Sequence, residues 1–226
     1  MKIEGSVAVV TGGNRGFGRE LVGRLIERGA KVYAAARRPE TVDVPGAVPL
    51  RLDITDPASI REAARVATDA TLLINNAGIS TGTSLLDGDL QDVRREMETH
   101  YLGTLAVTRA FAPIIEANGG GAILNVLSVL SWWHAPSTGA YSAAKAAEWA
   151  MTNAVRQELR PKGIHVAGLH VGYMDTDMTS NITAPKSDPA AIAEVALDGL
   201  AEDAAEIIAD EVSRNVKQNL AAPIVA

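Results

Sequence analysis

Val7-Ala8-Val9-Val10-Thr11-Gly12-Gly13-Asn14-Arg15-Gly16-Phe17-Gly18 is the stretch that decides how this chain folds. Its four consecutive apolar residues predict a short strand buried on both faces, as the strands of a parallel sheet are. The glycines at Gly12-x-x-x-Gly16-x-Gly18 then permit a tight turn, and a helical pattern runs from about Gly16 to Arg28, stopped by Gly29. Strand, glycine turn and helix start, in that order, make an anion cradle. Backbone can approach a pyrophosphate there, and the helix N-terminus faces it. The spacing is not the Gly-x-Gly-x-x-Gly of the usual dinucleotide fingerprint. The expectation of a nucleotide therefore rests on the strand–turn–helix context more than on the glycines.

Outward from this unit, strands are expected at residues 31–36, 48–52, 72–74, 122–127, 164–169 and 206–209. Helices are expected between them, at about 57–68, 90–117 with a break near Arg94, 137–160, 188–200 and 211–220. Asp56-Pro57 and Asp188-Pro189 are each an N-cap followed by a proline at the first helical position. Regular alternation of strand and helix implies an α/β fold, a doubly wound parallel sheet of about seven strands with helices on both faces. One domain over residues 1–226 is expected, with residues 172–187, which lack periodicity, as a substrate-loop region. Ligands of such sheets bind at the carboxyl ends of the strands. Thr11, Asp53, Asn75, Ser128 and His170 all fall there, so they are expected along one edge.

Composition narrows the function. The 226 residues carry a net charge of −6, with 47% apolar and 21% charged residues, the balance of a soluble globular protein. No basic patch suggests nucleic acid as the partner, and no uncharged apolar run has the length of a membrane span. Cysteine is absent, which excludes disulfides, thiolate metal sites and a thiol nucleophile. With no signal-peptide pattern at Met1–Gly5, a cytoplasmic location is expected.

Tyr141 and Lys145 are four residues apart, on one face of a helix. A phenol with an ordinary pKa of about 10 is a poor acid at neutral pH, and a nearby ammonium lowers that value. Ser128, on a separate segment, can orient a substrate oxygen beside the phenol. Together they suit moving a proton on or off a carbonyl oxygen, and the glycine turn suggests where a cofactor that carries the accompanying hydride would bind. At the end of the second strand, where an acid would hold a ribose 2′-hydroxyl, the chain has Arg37-Arg38, with Arg15 in the glycine turn. Guanidinium groups suit a 2′-phosphate, so NADP(H) is the expected cofactor.

With these sites placed, the whole chain resembles a short-chain dehydrogenase/reductase, which carries a Rossmann-type sheet. Thr11-Gly12-x-x-x-Gly16-x-Gly18 resembles the family's cofactor motif, and Asn75-Asn76-Ala77-Gly78 its motif beside the cofactor. Ser128, thirteen positions before Tyr141, and Tyr141-x-x-x-Lys145 match its catalytic set. Asp53-Ile54 matches its adenine-contacting position. The resemblance implies that Tyr141 is the acid in reduction, that Lys145 lowers its pKa and contacts the nicotinamide ribose, and that Ser128 binds the substrate oxygen. It implies cofactor contacts from Thr11, Gly12, Asn14, Arg15, Gly16, Phe17, Gly18, Arg37, Asp53, Ile54, Asn76, Ala77, Gly78, Gly172 and Thr176. Two departures stand out. His100-Tyr101-Leu102-Gly103 replaces the family's Asn-x-x-Gly, whose Asn holds a relay water, so His100 either substitutes in the relay or disrupts it. Val171-Gly172 replaces Pro-Gly after the sixth strand.

Ser131-Trp132-Trp133-His134 follows Ser128 directly. Ser131, Trp132, Trp133, Tyr173 and Met174 are expected as a mainly apolar substrate pocket, which favours a bulky apolar or aromatic carbonyl compound. His100, His134, His165 and His170 form no ligand-spaced pair, so no metal is expected. His170 either touches cofactor or packs. The alanine-rich helix around Ala143–Ala150 permits close packing, and by the resemblance a homodimer or homotetramer. The expected function is an NADP(H)-dependent oxidoreductase interconverting an apolar or aromatic ketone or aldehyde and its alcohol. The alternatives are a non-catalytic NADP-binding sensor or scaffold, and a reductase of C=N or C=C bonds.

Overall fold

A computed structural model describes residues 1–222. Seven strands, β1 (Val7–Thr11), β2 (Lys31–Ala36), β3 (Val48–Arg51), β4 (Leu72–Asn75), β5 (Gly121–Val126), β6 (Ile164–His170) and β7 (Glu206–Ile208), form one sheet in the order β3-β2-β1-β4-β5-β6-β7. Every neighbouring pair is parallel. The order reverses between β1 and β4, which opens a crevice at their carboxyl ends, the place where such sheets take ligands.

Strand alternation builds two cores. Ala8 and Val10 of β1, with Val32 and Ala34 of β2, face helices α1 (Gly16–Glu27) and α6 (Pro189–Ala201). Val9, Tyr33 and Ala35 face the other way, into a layer with α2 (Pro57–Val66), α4 (Thr104–Ala117) and α5 (Gly139–Leu159). Both faces being covered, the strands read as unbroken apolar runs. Asp56 and Asp188 cap α2 and α6 through backbone N–H groups two residues on, as their sequence signatures predict.

The expected helix over 90–117 is interrupted, but not near Arg94. Helix α3 (Leu90–Met97) passes into a π-helical segment, Glu98–Gly103, before α4 begins. π-Segments inside α-helices often mark functional sites, and this one carries His100 into the interior. Gly103 allows the helix to lie against the Ile54 carbonyl, which an added Cβ would approach to 3.0 Å. The short helix α7 (Glu211–Gln218) closes the described chain, and residues 172–187 hold one short helical turn, Asp177–Thr179, and a bridge between Met174 and Ser187.

Candidate active site

The glycine turn is built for backbone, not side chains. A Cβ on Gly18 would stand 2.2 Å from the Gly12 carbonyl oxygen, and one on Gly12, where φ is +67°, would meet Ala77 and Asn76 at 3.1 Å. Arg15 occupies the N-cap of α1 without a side-chain cap, and the first turn of the helix holds no acid. Its N-terminal amides therefore remain for an anion. Asn76 ties β4 to the turn by donating its amide to the Thr11 carbonyl at 2.9 Å, while Thr11 Oγ1 accepts from the backbone of Asn76 and Ala77 at 2.9 and 3.0 Å. These features fit the pyrophosphate of a dinucleotide.

Arg37 and Arg38 are exposed just beyond β2. Burial pushes the Asp53 carboxyl up, but hydrogen bonds from Thr55 and the fields of Arg37 and Arg51 outweigh it and hold the group below the usual carboxylate range. Thr176 lies against Gly16, its Cβ 3.6 Å from where a Cβ of Gly16 would be, so the 172–187 segment arches over the turn. Arg15 reaches toward Asp177 of that segment at 3.7 Å. Among the expected contacts, the side chains of Phe17 and Ile54 are buried in the two cores, Phe17 with Leu21 and Val22.

Tyr141 and Lys145 lie one turn apart on α5, with Ser128 just past β5. The Lys145 Nζ is 5.9 Å from the Tyr141 ring centroid, and His100 meets the same ring edge-on at 5.1 Å. Lys145 is buried and donates to the Val126 carbonyl at 2.7 Å and to Glu148 Oε2 at 2.6 Å. Lys145 pulls the phenol down as expected, but that pull is outweighed. Crowding by protein pushes it up; Lys145 and the Ser128 hydroxyl pull it down, but Glu148 and Glu96 add to the upward shift. For Lys145, burial favours the neutral amine, yet Glu148 and Tyr141 outweigh it and raise its pKa. Both shifts point toward the protonated forms.

His100 is fully enclosed because Gly78 lacks a side chain: a Cβ there would fall 2.7 Å from His100 Cε1. Its Nε2 lies 2.9 Å from the Ile79 carbonyl and 3.2 Å from Glu96, and its Nδ1 faces Glu148 at 3.9 Å. Asn75 donates to Thr108 and Asn125, and Asn125 to Thr152, which fastens the strand ends beneath the site to α4 and α5.

Residues 6–187 match the family model described as short chain dehydrogenase. The chain belongs to the short-chain dehydrogenase/reductase family. It is thus an oxidoreductase of that family. A short-chain dehydrogenase from Burkholderia cenocepacia J2315, solved in complex with NADP, is 42% identical over 98% of this chain and 95% of its own, with a TM-score of 0.94. An NADPH-dependent 1-acyldihydroxyacetone phosphate reductase of Schizosaccharomyces pombe is 34% identical over 80% of this chain; the match spans only 63% of that relative's length. A 3alpha-hydroxysteroid dehydrogenase of Mediterraneibacter gnavus is 31% identical over 80% of this chain and 78% of its own.

Relative to that family's catalytic set, the expected pocket wall divides. Trp133 is 53% exposed and Tyr173 is 36% exposed, but Trp132 is buried. The Trp132 indole stacks on His170 at 3.7 Å, meets Trp149 edge-on at 6.0 Å and lies under Lys217 at 4.6 Å. Lys217 in turn pairs with Glu206 at 2.8 Å. This cluster fastens α7 to α5 and β7. His170 packs; burial, resisted by the Ser128 carbonyl and by Glu206, takes its pKa down to about 4. Met174 is partly buried against the α1–α6 core, and Ser131 Oγ accepts from the Ser128 backbone at 3.4 Å. Trp132→Ala is therefore expected to destabilise the fold by about 3–5 kcal/mol, measured by denaturant unfolding. An unchanged midpoint together with an altered substrate ranking would return Trp132 to the pocket.

Sequence reasoning missed Glu96, Thr104 and Glu148. One signal was available: Tyr141, Lys145, Glu148 and Thr152 form a polar stripe at helical spacing on an alanine-rich helix. A polar stripe on a helix ordinarily faces water, and only the packing shows that Lys145, Glu148 and Thr152 are buried.

Proposed function

We propose that this chain is an NADP(H)-dependent reductase/dehydrogenase that interconverts an apolar or aromatic ketone or aldehyde and its alcohol. What supports the reading is that Ser128 and Lys145 both act on the Tyr141 phenol, while the glycine turn that follows β1 leads into a helix start without a side-chain cap. The nicotinamide supplies or accepts the hydride. Ser128 holds the substrate oxygen, Tyr141 gives that oxygen its proton in reduction, and Lys145 stabilises the phenolate that remains. The glycine turn binds the pyrophosphate, with Asp53 and Ile54 at the adenine and Gly172 and Thr176 at the nicotinamide. Exposed Trp133 and Tyr173 favour an apolar substrate. The exposed alanines of α5, Ala143 and Ala150, suit a homodimer or homotetramer.

The test is NADPH and NADH oxidation with a panel of aryl and alkyl ketones. Turnover of aryl ketones with NADPH supports the reading. Cofactor binding without turnover of any carbonyl would instead leave a sensor or scaffold, or a reductase of C=N or C=C bonds.

Arg37 and Arg15 support the choice of NADP(H). Arg37→Asp removes a charge-assisted contact to the 2′-phosphate and places a like charge beside it. We expect kcat/KM for NADPH to fall by about 10–100-fold, with NADH use maintained or improved. Steady-state kinetics with both cofactors decide it, and an unchanged ratio refutes the role of Arg37.

A further inference from the structure

Beneath the Tyr141–Lys145 pair lies a buried group of charged side chains that the proposed chemistry does not use. Glu148, 2% exposed, lies one turn beyond Lys145 on α5 and takes its ammonium at 2.6 Å. The other Glu148 oxygen accepts from Thr104 Oγ1 at 3.5 Å, at the start of α4. His100, from the π-helical segment, directs Nδ1 at Glu148 from 3.9 Å, and that nitrogen has no hydrogen-bond partner among the described residues. On its other side His100 meets Glu96, whose second oxygen accepts from the backbone and hydroxyl of Thr81 at 2.6 and 2.9 Å. Helices α4 and α5 and the π-helical segment thus converge on one carboxylate. A buried charge is kept only where partners hold it, and Glu148 has two, Lys145 and Thr104, with the His100 ring beside them.

We propose, building on the reading of Tyr141 and Lys145 above, that Glu148 is a positioning residue of the active site: flanked by His100 and Thr104, it anchors the Lys145 ammonium and provides the negative charge that the Tyr141–Lys145 pair faces. An ammonium has three donor hydrogens. Val126 and Glu148 take two, on fixed directions, and leave the third for the phenol and ribose side. In this arrangement the His100 imidazole lies beside the carboxylate that holds the lysine.

A specific pH signature follows. Tyr141 and Lys145 titrate as a coupled pair, so the first proton lost belongs to the pair rather than to either residue. The charged and titratable groups facing the pair are Glu148 on α5, Glu96 on α3, His100 in the π-helical segment and neutral His170 on β6. Losing that proton takes the pair from a net charge of +1 to zero. A neighbouring carboxylate opposes this loss, so its removal brings the step to lower pH, whichever residue gives up the proton. Reduction needs both protons in place. The alkaline limb of kcat for reduction therefore moves down in pH when Glu148 is neutralised.

The experiment is the pH profile of ketone reduction with NADPH for the parent, Glu148→Gln, Glu148→Asp and Tyr141→Phe, each checked for folding by circular dichroism. Glu148→Gln is expected to move the alkaline limb down by about one pH unit or more. A purely structural role would lower the rate without moving the limb, and a Glu148→Gln profile coincident with the parent overturns the proposal. Should Gln fail to fold, Asp carries the test. It draws the charge back from Lys145, so the limb moves in the same direction by less, and a coincident Asp profile then overturns the proposal. Tyr141→Phe separates the two levels. Undiminished turnover removes the reading beneath the proposal, whereas an inactive Tyr141→Phe with an unmoved Glu148→Gln limb removes only the role of Glu148.

Discussion

Tyr141→Phe lowers carbonyl reduction by about 10²–10⁴-fold, the range that one general acid–base group contributes, while binding of NADPH stays close to that of the parent. The ring of Tyr141 sits edge-on to His100 and near the Lys145 ammonium, and Phe keeps that shape, so the fold is unaffected. What disappears is the one proton donor that Ser128 and Lys145 flank. The Ser128 hydroxyl remains, but a neutral alcohol is too weak an acid to take over at neutral pH. Single-turnover reduction separates chemistry from binding. A rate within a few-fold of the parent would show that the proton comes from elsewhere.

Lys145→Met has two large effects, and they can be measured apart. Activity falls by about 10²-fold or more, because the phenolate left after proton transfer loses its ammonium. Stability also falls, because Glu148 keeps a buried charge whose partner at 2.6 Å is gone. Breaking a buried ion pair from one side costs about 3–5 kcal/mol. The double variant Lys145→Met/Glu148→Gln removes that stranded charge. It is expected to recover most of the stability in denaturant titration and none of the activity. If Lys145→Met unfolds at the same denaturant concentration as the parent, Glu148 is not held by Lys145. Cofactor affinity should also drop, by virtue of the ribose contact assigned to Lys145.

How far these outcomes were legible in the chain differs from element to element. The parallel sheet could be read from runs such as Val7–Val10, because strands covered on both faces cannot alternate in polarity. The glycine turn was legible because its backbone leaves no room for a Cβ, at Gly18 above all. Tyr141 and Lys145 were legible because four residues on a helix fix their neighbourhood locally. Each of these follows from covalent geometry or short-range sterics, which act wherever the chain goes.

The rest depended on what packs against what. Trp132 and Trp133 are adjacent and chemically identical, yet one is locked between His170, Trp149 and Lys217 while the other is exposed. The partners of Trp132 come from β6, α5 and α7, so no local pattern around position 132 names them. His100 reads locally as a helix residue, but the π-helical segment and the space above Gly78 turn it inward, toward Glu96 and Glu148. Even the sign of the Tyr141 shift was a tertiary matter. Sequence alone determined the sheet, the cradle and the phenol–ammonium pair, since these rest on backbone geometry and spacing along one helix. Only the tertiary structure decided the electrostatics of that pair, because burial and the two carboxylates on α3 and α5 act through space in a medium that screens them weakly.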